Sequence, residues 1–315
     1  MKKWISDHRQ ILLRGAGSLL AFGLMIFLIV QNWDDIVVAV RQIPLSRFLL
    51  ATALIFVSRF FVIGRWHLLL RTAKLGISFV RTAALTFTGL FLNNFLPTTI
   101  GGDVVRFGGA AAMGYDSSVV LASLVADRLV GMAGMATVLP FGLIPLWSWG
   151  TSNFSQSITL VALWKRFWGF VVRAFQSLSI WLKKPLSLLG AYGLTWGHLL
   201  CFFGAASVLL KGLNSPVPFW TIAGLLSIVY FLTQIPISIN GYGVQELSQS
   251  YLFVHLAGVS LPNAITLALL IRVIFMIASL PGAFYLPSIL TAIDKAKAAP
   301  ASSSTGEITN GDGYS

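Results

Sequence analysis

The sequence predicts an all-α fold: a polytopic integral membrane helical bundle with two inverted repeats, each containing a broken, re-entrant helix hairpin. The first observation is composition. Hydrophobic residues make up 56% of the chain and charged residues 10%, whereas about a quarter of a soluble globular domain is charged. Second, several uncharged runs exceed the roughly 20 residues needed to cross a hydrocarbon core. Third, two similar Pro-Gly breaks interrupt these runs.

The formal net charge of +12 is explained better by membrane topology than by nucleic-acid binding. Cytoplasmic loops of membrane proteins collect Lys and Arg, and three of the ten acidic residues lie in apolar surroundings: Asp103, Asp127 and Glu246. The single cysteine, Cys201, cannot form an intramolecular disulfide or a cysteine-based metal site. We therefore predict no nucleic-acid partner, no metal site and no cofactor.

The first two helices carry the clearest topology signals. Basic residues within 1–14 place the N-terminus in the cytoplasm, and the apolar run at about 15–31 is too long for a signal-peptide core. A loop with balanced charges leads to a second helix at about 44–64. Arg59 of that helix is expected to extend to the cytoplasmic interface. A basic cytoplasmic loop is expected next, with Arg65, Arg71, Lys74 and Arg81.

The third helix, about 79–97, reaches the first break at Pro97. The chain resumes after two glycines as a half-helix at 103–113. Inside a bilayer, unwound backbone is tolerated only where it is buried in protein or lines a wet cavity. We therefore expect a hairpin that returns to the cytoplasmic side, followed by an outward helix at 117–147.

Residues 157–182 allow two interpretations. Basic residues alternate there with Trp and Phe, which suits an amphipathic helix on an anionic membrane surface, and that surface is then a predicted partner. The same pattern suits a crossing helix whose basic residues face a polar cavity. The number of crossings favours the second interpretation, because Lys183 and Lys184 should be cytoplasmic. Both interpretations stay open.

The second half of the chain repeats the plan of the first. Its helices are predicted at about 185–210, 217–235, 244–259 (the returning half-helix) and 262–290. These segments complete a single transmembrane domain, 1–293. The remaining residues, 294–315, are small and polar, and they predict a disordered tail.

The two breaks match position by position. At intervals of three, five and eight residues, Pro97 is followed by Ile100, Gly102 and Val105, and Pro236 by Ile239, Gly241 and Val244. Each break follows a Phe-Leu pair and a polar pair: Asn93-Asn94 in the first, Thr233-Gln234 in the second. Because the first hairpin enters from inside and the second from outside, the two would meet head-on, as in many transporters.

Charged and polar residues near the two breaks are the candidates for a substrate cavity. Charge at this depth costs at least a few kcal/mol, so each charged group needs a partner or water. Half-helix N-termini and Arg106 would attract an anionic group such as a phosphate, and we expect Arg106 and Glu246 to share one polar cavity. The predicted substrate-binding residues are Arg106, Asp103, Glu246, Arg272, Asp127, Arg128, Asn93, Asn94, Gly101, Gly102 and Gly241.

The same candidates have structural interpretations. Asp103 and Arg106 are three residues apart and could neutralise each other. Glu246 and Arg272 could form an ion pair that ties the returning half-helix to the last helix.

The adjacent pair Asp127 and Arg128 and two histidines lie in apolar helices. Asp127 and Arg128 leave their helix about 100° apart, so each is expected to find its own partner. His198 and His255 are interpreted as ordinary helix residues, because no metal-binding spacing surrounds them.

Three sequence blocks resemble one known family. They are Asn93-Asn94-Phe-Leu-Pro97-x-x-Ile-Gly101-Gly102-Asp103-x-x-Arg106, Asp127-Arg128-x-x-Gly131 and Pro236-x-Ser-Ile-Asn-Gly241-x-Gly243-x-x-Glu246. They are similar to the hallmark blocks of the lysylphosphatidylglycerol synthase transmembrane (flippase-like) family, which is related to the membrane half of multiple peptide resistance factor. The resemblance covers about residues 10–290. It implies a multi-pass protein of the bacterial inner membrane, proposed to translocate lipids or lipid-linked sugars between leaflets.

One departure from that resemblance affects the expected activity. Multiple peptide resistance factor carries a soluble aminoacyl-transferase domain after its membrane half, whereas this chain ends in a short polar tail. We therefore do not expect this chain to make aminoacyl-phosphatidylglycerol.

Three functional hypotheses follow, and the leading one is a translocase for a membrane lipid with an anionic head group. The second is a membrane-embedded glycosyl or lipid transferase. Against it, the sequence contains no Asp-x-Asp pair, His-containing acid–base set or nucleotide-binding glycine loop. The third is a non-catalytic membrane subunit of a lipid-synthesis complex, which would not need buried charge. We expect transport rather than catalysis.

Overall fold

The computed structural model of this chain describes residues 23–96, 100–153, 184–234 and 243–298. Within these ranges the fold is all-α, as predicted, with eleven helices and no strand. Several predicted features lie outside the described residues: the start of the first helix, Pro97, the segment 157–182, Pro236, Gly241 and the tail beyond 298.

The helices of the described residues are numbered here in chain order. They are α1 Gly23–Gln31, α2 Trp33–Gln42, α3 Leu45–Thr72, α4 Phe79–Leu92, α5 Gly101–Ala112, α6 Ser117–Asn153, α7 Pro185–Gly212, α8 Phe219–Gln234, α9 Val244–Ala257, α10 Leu261–Ser279 and α11 Pro281–Ala298. Four are long and apolar enough to cross a membrane: α3, the part Ser117–Leu146 of α6, α7 and α10. The chain is therefore a multi-pass membrane protein.

Helix α2 occupies a stretch that the sequence predicted as an outer loop. It meets α1 at an angle of 76°. Acidic Asp34 and Asp35 lie in its first turn and Arg41 in its last, which suits the helix dipole. Ile36 is buried beside Ile265 of α10. The loop prediction was wrong because the apolar face of α2 is short and its charges fit the two helix ends.

Helix α3 is longer than predicted and continues to Thr72. Arg65, expected in a cytoplasmic loop, lies inside this helix and is buried. Trp66 beside it is fully buried, so apolar packing extends α3 past Arg65, the first basic residue of the predicted loop. The helix ends at a turn in which Lys74 adopts a φ of 62°.

The last predicted helix, 262–290, is two helices in the structure. α10 ends at Ser279 and α11 starts at Pro281, because proline has no N–H to continue the helical ladder and favours the first turn of a new helix. α11 continues to Ala298, so the tail predicted from 294 begins with helix.

Helices α4 and α8 lead into the two predicted breaks and are both short. Their 14 and 16 residues span about 21 and 24 Å at 1.5 Å per residue, less than the roughly 30 Å of a hydrocarbon core. Each packs against the helix that follows its break, α4 against α5 and α8 against α9.

The long helices α3 and α7 form the centre of the bundle. They pack against each other along their length, and α6 and α10 contact both of them. The largest buried apolar cluster joins residues of α3, α6, α7, α8, α9 and α10. A second cluster, which includes Trp66 and Leu85, lies between α3, α4, α5 and α6. The first predicted break and its charges therefore lie against this second cluster.

Candidate functional site

Asp127 of α6 is the centre of a buried ion-pair network. Arg65 of α3 donates from Nε to Asp127 Oδ1 at 2.7 Å. Arg106 of α5 donates from Nη1 and Nη2 to Asp127 Oδ2, each at 3.3 Å. The side chains of Arg65, Arg106 and Asp127 are 9%, 8% and 4% exposed. One carboxylate thus connects three helices away from solvent.

Asp103 extends this network at the start of α5. Its Oδ1 accepts from Arg106 Nη1 at 3.0 Å, and its Oδ2 accepts from Nε of Arg128 on α6. We call Arg65, Arg106, Arg128, Asp103 and Asp127 the first cluster. It holds three cations and two anions, so its own side chains leave one positive charge in excess.

Neighbouring side chains orient the arginines of the first cluster. The Arg106 guanidinium lies over the Trp66 ring, 3.9 Å from its centroid, a cation–π contact that is stronger in a desolvated site. Trp66 Nε1 donates to Ser123 Oγ at 3.1 Å, which fixes the ring. Arg65 Nη1 donates to Thr195 Oγ1 on α7 at 3.2 Å. Arg65 and Arg106 are therefore held in fixed directions by groups other than the carboxylates.

Close backbone approach between α4 and α5 places Arg106 and Asp103 at this depth. A Cβ at Gly89 would lie 2.6 Å from the Gly102 carbonyl oxygen, which only glycine avoids. The Gly102 N–H donates to Asn93 Oδ1 at 3.2 Å and so satisfies one of the free N–H groups at the start of α5. Asn94 donates from Nδ2 to Ser279 Oγ at 2.9 Å. The polar residues before the first break thus anchor both of its arms.

Glu246 of α9 is the centre of a second cluster, with Arg272 and Gln245. Arg272 Nε donates to Glu246 Oε1 at 2.7 Å, and Arg272 Nη2 donates to Gln245 Oε1 at 3.2 Å. Glu246 Oε2 accepts from the N–H of Gly243 at 2.9 Å. Gly243 has a φ of 76°, a region that favours glycine. Glu246 therefore both caps α9 and ties it to α10.

Several buried polar atoms have no hydrogen-bond partner among the described residues. They are Arg59 Nε, Arg106 Nε, His198 Nδ1, Gln249 Nε2 and Ser250 Oγ. Buried polar groups in folded proteins are nearly always satisfied by protein or water. These atoms are therefore the interior positions at which water or a polar ligand would complete the hydrogen bonding.

The structure brings most of the predicted site residues into two groups. The first cluster contains Arg106, Asp103, Asp127 and Arg128, and the second contains Glu246 and Arg272. Asn93, Asn94, Gly101 and Gly102 lie beside the first cluster at the predicted break, and Gly241 lies outside the described residues. Asp127 and Arg128 have different partners, as expected. A cavity common to Arg106 and Glu246 stays a prediction.

Sequence reasoning missed two contributors and misplaced a third. Arg65 belongs to the first cluster and Trp66 supports it, although both follow the predicted helix 44–64 and so fell in the predicted cytoplasmic loop. Arg59 does not extend to an interface, because it is 8% exposed and lies over the Phe275 ring. The available signal was the apolar residues Trp66 and Leu68–Leu70, which follow Arg65 and continue the buried face of the helix past it.

The two clusters and the helices around them indicate a class of membrane protein. A bundle of membrane-crossing helices encloses arginines and carboxylates at depth, and such groups mark substrate or ion paths in membranes. The model of the family described as "Lysylphosphatidylglycerol synthase TM region" matches residues 14–282 of the chain. The chain belongs to this family. No curated protein matches it. The family match confirms the resemblance seen in the three sequence blocks and supports a role connected with membrane lipids.

Proposed function

We propose that this protein is a translocase that moves a lipid with an anionic head group, either a phospholipid or a lipid-linked sugar phosphate, between the leaflets of the bacterial inner membrane. The lipid crosses unchanged, so the protein acts as a transporter and not as an enzyme. Its N-terminus is cytoplasmic in this proposal. The observation that carries the proposal is the first cluster, in which three arginines meet two carboxylates and in which Arg65, Arg106 and Asp127 are buried.

The second part of the proposal is that the chain consists of two inverted repeats, α3–α6 and α7–α10, each with a re-entrant hairpin. Three of the four corresponding helix pairs have similar lengths: 28 and 28 residues for α3 and α7, 14 and 16 for α4 and α8, 12 and 14 for α5 and α9. The fourth pair differs, with 37 residues in α6 and 19 in α10. Packing pairs correspond as well, because α4 contacts α5 as α8 contacts α9, and α6 contacts α7 as α10 contacts α3.

Backbone turns also correspond between the two halves. In the described residues, the non-glycine positions with positive φ are Lys74, just after α3, and Asn214, just after α7. Gly114 after α5 and Gly258 after α9 both have positive φ as well. Matching left-handed turns at matching loops support a common origin of the two halves.

The ion pairs beside the two breaks correspond residue for residue. Asp103 is the third residue of α5 and pairs with Arg128, the twelfth of α6. Glu246 is the third residue of α9 and pairs with Arg272, the twelfth of α10. Each pair ties a short helix to the long helix that follows it. In an alternating-access cycle, each hairpin could then be held by its own ion pair while the other half moves.

The head group is proposed to bind at the first cluster. A phosphate offers oxygens that an arginine fork recognises in two parallel hydrogen bonds, and the buried Nε of Arg106 has no partner among the described residues. A phosphate entering the network would compete with Asp103 or Asp127 for this guanidinium. Substrate binding would thereby loosen the contacts that hold α5 on α6.

A lipid-scrambling assay in vesicles tests the proposal. Wild-type protein is reconstituted with fluorescent phosphatidylglycerol, and a membrane-impermeant quencher reports the lipid that reaches the outer leaflet. We expect Arg106→Ala and Glu246→Gln to slow translocation about tenfold or more, since each loses at least one charge-assisted hydrogen bond. Matched controls are Arg71→Ala, at the exposed end of α3, and Asp294→Asn, exposed on α11. Equal rates in all five proteins would refute the site assignment.

A further inference from the structure

Arg59 is a buried arginine at the centre of a membrane-crossing helix. It is the fifteenth of the 28 residues of α3, and it is 8% exposed. Among the described residues its Nε atom has no hydrogen-bond partner, and the ion pairs there involve other arginines. An intramembrane cation normally pairs with an acid or a carbonyl, and it marks a functional path by default. The described part of the chain offers Arg59 no acidic partner that would explain it structurally.

The surroundings of Arg59 form a site with an aromatic floor. Its guanidinium lies over the Phe275 ring of α10, 4.5 Å from the centroid. A ring face attracts a cation but accepts no conventional N–H···O hydrogen bond, so the contact with Phe275 does not use the five N–H groups of the guanidinium as hydrogen-bond donors. Phe202 of α7 packs against Phe275 with centroids 5.5 Å apart and stacks on His198. Three helices therefore enclose the charge.

His198 supplies a second polar group to the same site. Its ring stacks on the Phe202 ring of the same helix, with centroids 6.3 Å apart. Its Nδ1 atom is buried and has no hydrogen-bond partner within the ranges that the structure describes. Among the described residues, Arg59 Nε and His198 Nδ1 are thus two unsatisfied buried atoms on either side of the ring pair Phe275–Phe202, and water or a polar ligand would satisfy both.

A polar track connects this site with the first cluster. Thr195, which accepts a hydrogen bond from Arg65, lies one turn before His198 on α7. On α3, Arg59 and Arg65 are six residues apart, about 9 Å along the helix axis. In order along the packed helices α3 and α7, Arg65 and Thr195 come first and His198 and Arg59 follow, with Arg59 and Arg65 projecting about 120° apart around α3.

We infer that Arg59 and His198 form a second binding site, at mid-membrane depth, for a phosphate-type oxyanion. The inference rests on the proposed function, because it treats this site as the next position of the head group after the first cluster. The Arg59 fork binds the phosphate oxygens, and His198 contacts the polar part of the head group. Acyl chains stay in the lipid while the head group passes along the α3–α7 interface.

If Arg59 serves ligand binding, its replacement should change protein stability and ligand affinity in opposite directions. Removing a buried charge that has no acidic partner relieves its desolvation cost, so Arg59→Met is expected to raise the thermal-unfolding midpoint of the free protein. The same substitution is expected to weaken ligand binding, the trade-off typical of binding sites. An arginine that served only packing would show the reverse.

Ligand-induced thermal shifts of the full chain in detergent test the site. The probes are short-chain dihexanoyl phosphatidylglycerol, inorganic phosphate, and dihexanoylglycerol, which has no phosphate. We expect the phosphatidylglycerol to stabilise wild type and dihexanoylglycerol not to do so. A shift with inorganic phosphate as well would assign the site to any phosphate, and a shift with the lipid alone to the lipid head group.

The variants separate this site from the first cluster. We expect the Arg106→Ala variant to keep its thermal shift with phosphatidylglycerol. The double variant of Arg106→Ala and Arg59→Met should need at least about tenfold more lipid for the same shift. Arg59→Lys, which keeps the charge without the fork, should be intermediate, and it replaces Arg59→Met if that variant does not fold. Arg71→Met, at the exposed end of α3, should respond like its background. His198→Phe should weaken the response by a smaller factor.

The inference and the proposed function fail in different ways. An unchanged lipid response when Arg59→Met is added to Arg106→Ala would overturn the mid-membrane site even if the protein scrambles lipids. An Arg59-dependent response in a protein that moves no lipid in vesicles would retain the site as an anion-binding site and refute translocation.

Discussion

Asp127 accepts a hydrogen bond from Arg65 on one carboxylate oxygen, at 2.7 Å, and from Arg106 on the other, at 3.3 Å. This single side chain therefore joins α3 and α5 to α6. Each guanidinium balances part of the carboxylate charge, and the carboxylate in turn keeps two buried arginines close together. Any anion that binds Arg106 must do so against this existing pairing. The first cluster is thus both a structural joint and a place where a substrate could compete.

The first prediction concerns Asp127→Asn. Asparagine keeps the size of the side chain but removes the negative charge, which leaves Arg65 and Arg106 in the interior with one fewer acidic partner. Removing one partner of a buried ion pair costs about 3–5 kcal/mol. We expect a lower thermal-unfolding midpoint in detergent. Asp116→Asn is the control, because Asp116 is exposed and caps α6 through its Oδ1, a function that asparagine keeps. Equal midpoints for the two variants would contradict a structural role for the network.

The second prediction concerns the contact between α4 and α5. A Cβ at Gly102 would lie 2.7 Å from the Gly89 carbonyl oxygen, so Gly102→Ala must push the two helices apart. Overpacking of this kind costs about 1–3 kcal/mol, and it also displaces Arg106 from Trp66. Gly108→Ala on the same helix is the control, because its Cβ would meet Ile293 at 3.9 Å. We expect Gly102→Ala to lower the thermal-unfolding midpoint and to slow lipid translocation, and Gly108→Ala to do neither.

The third prediction concerns the pair Glu246–Arg272. A double-mutant cycle of Glu246→Gln, Arg272→Gln and the double variant measures their coupling, which should be about 1–3 kcal/mol for contacting buried charges. Gln245→Ala with Arg272→Gln is a useful comparison, because Gln245 contacts the same guanidinium as a neutral acceptor and should couple more weakly. A coupling near zero for Glu246 would show that the ion pair does not hold α9 on α10.

The sequence predicted the charges at the first break because they are conspicuous in an apolar chain. It also allowed the Glu246–Arg272 ion pair as one of two interpretations, and the structure contains that pair. Both inferences needed only local information: an acid or arginine in an apolar run, and a spacing from a break. The all-α fold and the membrane class follow from composition in the same way.

Arg65 shows why the remaining site could not be read from the sequence. Basic residues after an apolar run usually mark a cytoplasmic loop, and Arg65 follows such a run. Its burial depends on Asp127, which is 62 residues later, and on the packing of Trp66 against α6. No local pattern reports that a carboxylate on another helix will face it. The break between α10 and α11 is a different case, because Pro281 was visible and only its effect on the helix was underestimated.

The fourth prediction tests the inverted orientation of the two halves. If the hairpins enter from opposite sides, the α5–α6 loop lies in the cytoplasm and the α9–α10 loop outside. Ser118 and Ser260 are exposed at these two loops, and each can be replaced by cysteine after Cys201→Ala removes the single natural thiol. A membrane-impermeant maleimide added to intact cells with a permeabilised outer membrane should label Ser260→Cys. Ser118→Cys should react only after the inner membrane is opened. Labelling of both cysteines from the same side would refute the inverted arrangement, while the ion pairs of the two clusters would still stand as separate structural contacts.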